Sequence, residues 1–259
     1  MLQNIKSYIH FLWNSKNHHG VHSPFVFNLV TKCFYDKKKY EEYTVLNKYR
    51  KSFLLNKDSL KVTDFGAGSK VFKNDVRKIC AIAKNAGISR KRAQLLFRLT
   101  RYFKPERILE IGSSLGLATS AMALGNPNAK ITTLEGCFQT SHLCEIQLQK
   151  FHINNVECIH TKFEDYLNSF ESQISTFNFI YFDGNHTKKA TLDYFNLLLP
   201  TITNDTVWIF DDIHWNNDMQ KAWQIIKDNP KVKVTIDTFQ WGIVFFRKEQ
   251  VKEHFTIRV

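Results

Sequence analysis

Residues 108–135, ILEIGSSLGLATSAMALGNPNAKITTLE, decide how this chain is read. An apolar run from Arg107 to Ile111 enters a glycine-bearing turn, Glu110-x-Gly112-x-x-x-Gly116. A helical segment follows from Leu117 to Leu124, and a second apolar run, Ile131 to Leu134, ends in Glu135. In a strand–turn–helix–strand unit the first turn lies at the carboxyl edge of a sheet. Glycines there let a ligand come close to the backbone, and an acid ending the next strand can bind both hydroxyls of a ribose. A dinucleotide fingerprint, G-x-G-x-x-G, would set three glycines around a pyrophosphate. Here there are two glycines, with an acid ahead of the first. That spacing suits a cofactor with a ribose and no phosphate, namely S-adenosylmethionine.

Outward from this stretch, apolar runs and helical patterns alternate. Strands are expected at about 107–112, 130–135, 156–160, 178–183 and 206–211, with helices between them. Alternation of that kind implies a parallel sheet with helices on both faces. The last two runs, Val232–Asp237 and Ile243–Phe246, are joined across Gln240-Trp241-Gly242. A parallel crossover needs at least ~10–12 residues, so these two must be antiparallel. The expected fold is α/β: a doubly wound, Rossmann-like, seven-stranded sheet, mostly parallel with an antiparallel C-terminal hairpin. An N-terminal helical extension, 1–88, precedes the ligand-binding domain, 89–259.

Two later strands also end in acids. FIYFDGNH places Asp183 at the carboxyl edge with His186 three residues on, and VWIFDDIHW places Asp211 and Asp212 there with His214 close by. Open α/β sheets bind ligands at this edge, so the acids should converge beside the cofactor.

In order and spacing, over roughly residues 89–247, these motifs resemble the class I S-adenosylmethionine-dependent methyltransferases. The resemblance implies that Glu110, Gly112, Ser113, Ser114 and Gly116 hold the methionine end of the cofactor. Glu135 would take the ribose, and Lys162, Phe163 and Glu164 would cover the adenine. Asp183, Asp211 and Asp212 are similar to the acids of cation-dependent O-methyltransferases of the catechol, caffeoyl-CoA and macrocin types. Those of the catechol type have an Asn where Asp212 stands and a Lys base where His186 stands, which argues against catechol-like specificity.

Three carboxylates at one edge repel unless protons or a cation neutralise them. Mg²⁺ or another divalent ion with oxygen ligands is the natural solution. The expected reaction is in-line displacement at the sulfonium methyl. The metal would lower the pKa of an acceptor hydroxyl, and His186 or His214 would take the proton. The alternative is structural: Asp183 positions the cofactor with no metal, and His214 caps the following helix or bonds a carbonyl.

Composition bounds the rest. The chain has 259 residues, 43% of them hydrophobic, and 22 phenylalanines that imply a large aromatic core. Five cysteines (Cys33, Cys80, Cys137, Cys144, Cys158) form no C-x-x-C pair and read as reduced, buried thiols. No apolar run reaches the ~18 residues needed to span a bilayer. The start lacks a signal-peptide cleavage site, so cytoplasmic residence is the default expectation. Charge is uneven: residues 1–107 hold 23 Lys+Arg against 7 Asp+Glu, whereas 108–259 hold 13 against 17. A basic N-terminal part fits a polyanion partner or a solvated lysine-rich face.

Helices are expected at about Leu2–Trp13, from Ser23-Pro24 to Tyr35, Lys38–Leu55 and Lys73–Asn85, and from a Ser89 cap into RKRAQLLFRLTRYF. Asp64-Phe-Gly-Ala-Gly-Ser69 reads as a tight turn in a lid, and His18, His19 and His22 as structural or surface residues.

Three functions compete. The leading one is O-methylation of a small molecule, the acceptor being anionic in one version and the enzyme a homodimer. An RNA methyltransferase guided by the basic region is second, yet no Asn-Pro-Pro-aromatic or Pro-Cys motif is present to serve it. A non-catalytic cofactor-binding scaffold is third.

Overall fold

The computed structural model of the chain describes residues 2–65, 68, 72, 74–169 and 177–259, with side-chain surroundings from Lys6 onward. In chain order the first elements are α1 (Leu2–Asn14), α2 (Pro24–Leu29), α3 (Glu42–Leu55), β1 (Ser59–Lys61), β2 (Val76–Lys78), α4 (Ile79–Asn85) and α5 (Arg90–Phe103). There follow β3 (Arg107–Ile111), α6 (Leu117–Gly125), β4 (Lys130–Glu135), α7 (Phe138–Lys150), β5 (Val156–His160) and α8 (Phe163–Ser169). The chain closes with β6 (Phe179–Phe182), α9 (Lys188–Leu198), β7 (Val207–Asp211), α10 (Asn217–Asp228), β8 (Val234–Asp237), β9 (Trp241–Phe245) and β10 (Glu253–Thr256). Contacts divide it into two compact units, Asp36–Tyr166 and Met1–Tyr35 with Leu167–Val259.

In the Asp36–Tyr166 unit, β3, β4 and β5 are parallel, with Ile108 opposite Ile131 and Ile131 opposite Val156. β3 and β4 read as continuous apolar runs because both faces are covered: Leu109, Ile111, Ile131 and Leu134 are all buried. α5 forms because Ser89 accepts the Arg92 N–H at its start, and because Leu95, Leu96 and Leu99 line one buried side. It stops at Lys104, whose backbone is left-handed (φ 47°). α5 packs on α6, whose residues from Leu117 to Ala123 are all buried. Each fully buried Leu or Phe removed from water contributes about 1.5–3 kcal/mol.

In the other unit β6 and β7 are parallel, β9 is antiparallel to both β7 and β8, and β10 lies parallel to β8. Trp208, Trp241, Tyr181, Tyr194, Phe210 and Phe245 are among its largest fully buried side chains. Phe182 and Phe210 stack at 4.2 Å, an arrangement that adds to simple burial. The phenylalanine-rich composition therefore does build an aromatic core.

The seven expected strands all form, and β1, β2 and β10 are additional. The Ser23-Pro24 start is found as expected: the Ser23 hydroxyl accepts the Val26 N–H, and the helix continues as a π-helical turn to Phe34. Two other expectations shift. The helix expected from Lys38 begins at Glu42, because the Asp36 carboxylate accepts the Lys38 N–H (2.8 Å) and the Tyr40 hydroxyl (2.6 Å), holding a local turn that competes with helix. The helix expected from Lys73 begins at Ile79, since Val76–Lys78 pairs antiparallel with Ser59–Lys61. Gly66, Ala67 and Ser69 of the Asp64–Ser69 turn, and Lys73, lie outside the described residues.

Candidate functional site

The glycine turn after β3 is held by hydrogen bonds from three directions. Gly112 and Ser113 donate their N–H groups to the Leu134 carbonyl (2.9 and 3.2 Å). Ser114 donates to Glu135 Oε2 at 2.8 Å, and the Tyr49 hydroxyl of α3 donates to the Leu115 carbonyl at 3.1 Å. Gly112, Ser114 and Gly116 all have positive φ (100°, 47° and 72°). At Gly116 a side chain is excluded twice over: the backbone is left-handed, and a Cβ would stand 2.5 Å from Cys144 Sγ and 2.7 Å from the Tyr49 hydroxyl. The turn is thus held in one conformation by backbone and side-chain contacts.

Glu135, expected to bind the ribose, ends β4 and lies at this turn. Its carboxylate takes the N–H groups of Ser114 and Cys137 (2.8 and 3.0 Å). Burial pushes its pKa up, opposed by those backbone donors and by the Thr140 hydroxyl. Thr161 donates its N–H to the Glu135 carbonyl (3.1 Å), which brings the segment after β5 alongside. Lys162 is exposed there, and Phe163 and Glu164 open α8.

Glu110 behaves differently from the open acid the sequence suggests. It is fully buried, and its Oε2 accepts the hydroxyls of Thr119 on α6 and Thr133 on β4, both at 2.5 Å. Burial raises its pKa to about 7; the two hydroxyls oppose the rise and the Glu135 charge adds to it. Oε1 is buried with no hydrogen-bond partner. A buried acceptor left without a donor is costly to the fold.

In the other unit Asp183 and His186 follow β6, the His186 Nε2 lying 3.6 Å from Asp183 Oδ1. Both are partly exposed (25% for His186, 19% for Asp183). Asp211, the last residue of β7, is turned inward at 4% exposure. Its Oδ2 accepts the Tyr181 hydroxyl (3.1 Å) and its Oδ1 the Asp212 N–H (2.8 Å). Asp212 itself has a left-handed backbone, φ 54°.

The expected metal ligands Asp183, Asp211 and Asp212 are therefore not brought together as a set. Among the described residues no group of three His, Cys, Asp or Glu side chains is placed to hold a metal ion. The physical reason is that Asp211 spends its carboxylate on fixing the strand end.

His214 is also committed. Its Nε2 meets Asp237 Oδ2 at 2.7 Å, its ring stacks on Phe239 (5.2 Å, 12°), and its Nδ1 is buried without a partner. Phe239 has a left-handed backbone (φ 74°), held by its N–H to Asp237 Oδ1 (2.7 Å). These contacts clasp the His214 ring between Asp237 and Phe239.

The reading from sequence missed Asp237, Phe239, Thr119, Thr133 and Tyr49. One signal for Asp237 was available: β8 lies antiparallel to β9, which lies antiparallel to β7. Two reversals restore the direction, so Asp237 ends a strand pointing the same way as the one that Asp211 ends.

Residues 109–213 match the family model of a methyltransferase domain. Solved structures agree on the fold. The SAH-bound methyltransferase PaMTH1 of Podospora anserina has a TM-score of 0.59 at 15% identity, covering 88% of this chain and 97% of that one. TomG, an O-methyltransferase from Streptomyces achromogenes involved in tomaymycin synthesis and solved with SAM, has 0.58 at 15%, covering 84% and 95%. An O-methyltransferase from Bacillus cereus with SAH has 0.55 at 18%, covering 83% and 95%. No curated protein matches the chain in sequence. Among the described residues no helix is long and apolar enough to cross a membrane.

Proposed function

We propose that the domain transfers the methyl group of S-adenosylmethionine to a hydroxyl of a small-molecule acceptor. One observation carries the cofactor half: the Glu135 carboxylate, at the end of β4, is hydrogen-bonded into the glycine turn through Ser114. A ribose acid and a backbone turn open to close approach are thereby set together. Gly112, Ser113, Ser114 and Gly116 would seat the methionine end, Glu110 Oε1 would accept its ammonium, and Lys162 and Phe163 would border the adenine. When bound, the cofactor supplies an electrophilic methyl on a sulfonium.

On the acceptor side, His186 takes the hydroxyl proton, with Asp183 close enough to stabilise the imidazolium that forms. General-base help of this kind contributes about 10²–10⁴-fold. The O-methyltransferases among the structural relatives support oxygen as the acceptor atom.

The test is transfer of isotope-labelled methyl from S-adenosylmethionine to a panel of phenols, catechols, sugars and hydroxy acids, run with Mg²⁺ and with EDTA. Label on oxygen in both conditions supports the proposal. Transfer abolished by EDTA restores the metal, and label only on nitrogen, carbon or RNA overturns the acceptor class.

A further inference from the structure

The Asp64–Ser69 motif has no part in the site so far. Its second residue, Phe65, leaves 52% of its surface exposed, so packing explains only half of that ring. Its position is defined by Gly136, the residue directly after Glu135. A Cβ on Gly136 would stand 2.8 Å from Phe65 Cδ2 and 3.3 Å from Cε2, so the ring rests on the bare backbone of the glycine. The chain leading to Phe65 is fixed at the same place, with the Thr63 N–H donating to Cys137 Sγ at 3.4 Å. Asp64 pairs with Arg77 at 3.2 Å, anchoring it to β2.

Other rings border the same short segment. The Gly136 carbonyl lies 3.0 Å from His160 Nε2. The His160 ring meets Phe138 edge-on at 5.4 Å, and Phe138, 56% exposed, stacks on His142. Half-exposed aromatic surface beside a buried acid is the usual lining of a small-molecule pocket. Flat purine rings stack on such surfaces whatever hydrogen bonds they make elsewhere.

We propose that Phe65 is a cofactor-contacting residue whose open ring face forms a wall for the adenosine half of S-adenosylmethionine, next to Glu135. Gly136 is bare so that this ring can come close. The proposal rests on the cofactor reading above and extends it to a segment that the family model, starting at residue 109, does not include.

The test is calorimetric titration of S-adenosylhomocysteine and of 5′-methylthioadenosine, which keeps the nucleoside and lacks the amino acid. Wild type is compared with Phe65→Leu, Phe65→Tyr and Gly136→Ala. Phe65→Leu keeps an apolar side chain and loses the flat face, so both ligands should weaken by about tenfold. Phe65→Tyr keeps the face and should bind as wild type. Gly136→Ala adds a methyl where the ring edge lies and should weaken both ligands with the melting temperature nearly unchanged. Unchanged affinities in Phe65→Leu and Gly136→Ala, with wild type binding normally, overturn the role of Phe65 alone. A wild type that binds neither ligand overturns the cofactor reading itself.

Discussion

The two units use their acids in opposite ways. Around the glycine turn, Glu135 receives backbone N–H groups from the turn and from the start of α7, and the result is a shaped, ligand-ready loop. In the other unit Asp211 and Asp237 receive a tyrosine hydroxyl, backbone N–H groups and a histidine, and the result is fixed strand ends. Asp183 with His186, and Asp237 with His214, are both part-exposed there, and the two pairs differ in closeness, 3.6 against 2.7 Å. An acid at a carboxyl strand end is thus a necessary sign of a site, and its hydrogen-bond partners decide whether it serves ligand or fold.

That contrast can be broken most easily at its histidines. His186→Ala should lower kcat by about 10²–10⁴-fold with S-adenosylhomocysteine affinity unchanged. His214→Ala should act mainly on stability, by about 1–3 kcal/mol, because it strips Asp237 of its partner. Steady-state kinetics and chemical denaturation on both variants separate the roles; equal losses of kcat would place His214 in the chemistry as well.

Gly116→Ala probes the preorganised turn. Left-handed backbone and the clash with Cys144 and Tyr49 together should destabilise the fold by about 2–4 kcal/mol and weaken cofactor binding. A variant with wild-type melting temperature and affinity would show that the turn is not rigid.

The same contrast has a pH signature at Glu110. The folded state holds the Glu110 proton up to about 7, against 4.5 ordinarily. The unfolded chain releases it earlier, so the stability this proton supports is fully present below about 4.5 and is lost as pH rises through about 7. The slope amounts to about 3 kcal/mol in all, and Glu110→Gln should flatten it in the ligand-free protein. A variant as steep as wild type, followed by thermal melts from pH 5 to 8, would assign the slope to other groups, with Glu135 shifted in the same direction.

Strand order and the glycine turn were legible because apolar runs, glycines and terminal acids leave a local trace in sequence. β3 to β9 fall within two residues of their expected bounds. β10 left little trace, since only Phe255 of its four residues is buried. The committed state of Asp211 and His214 was illegible for another reason: Tyr181 lies 30 residues from Asp211, and Asp237 lies 23 from His214. Such long-range partners exist only once the sheet has formed. Phe65 escaped notice likewise, its neighbour Gly136 being brought to it by the packing of β1 on α7.

The most direct test of the cofactor site is titration of S-adenosylmethionine into wild type and Glu135→Ala, with Mg²⁺ and after chelation. Wild type should bind at micromolar concentration in both conditions, and Glu135→Ala about a hundredfold more weakly. Equal affinity in the two proteins, or no binding by wild type in either condition, would contradict the assignment of this turn as the cofactor site.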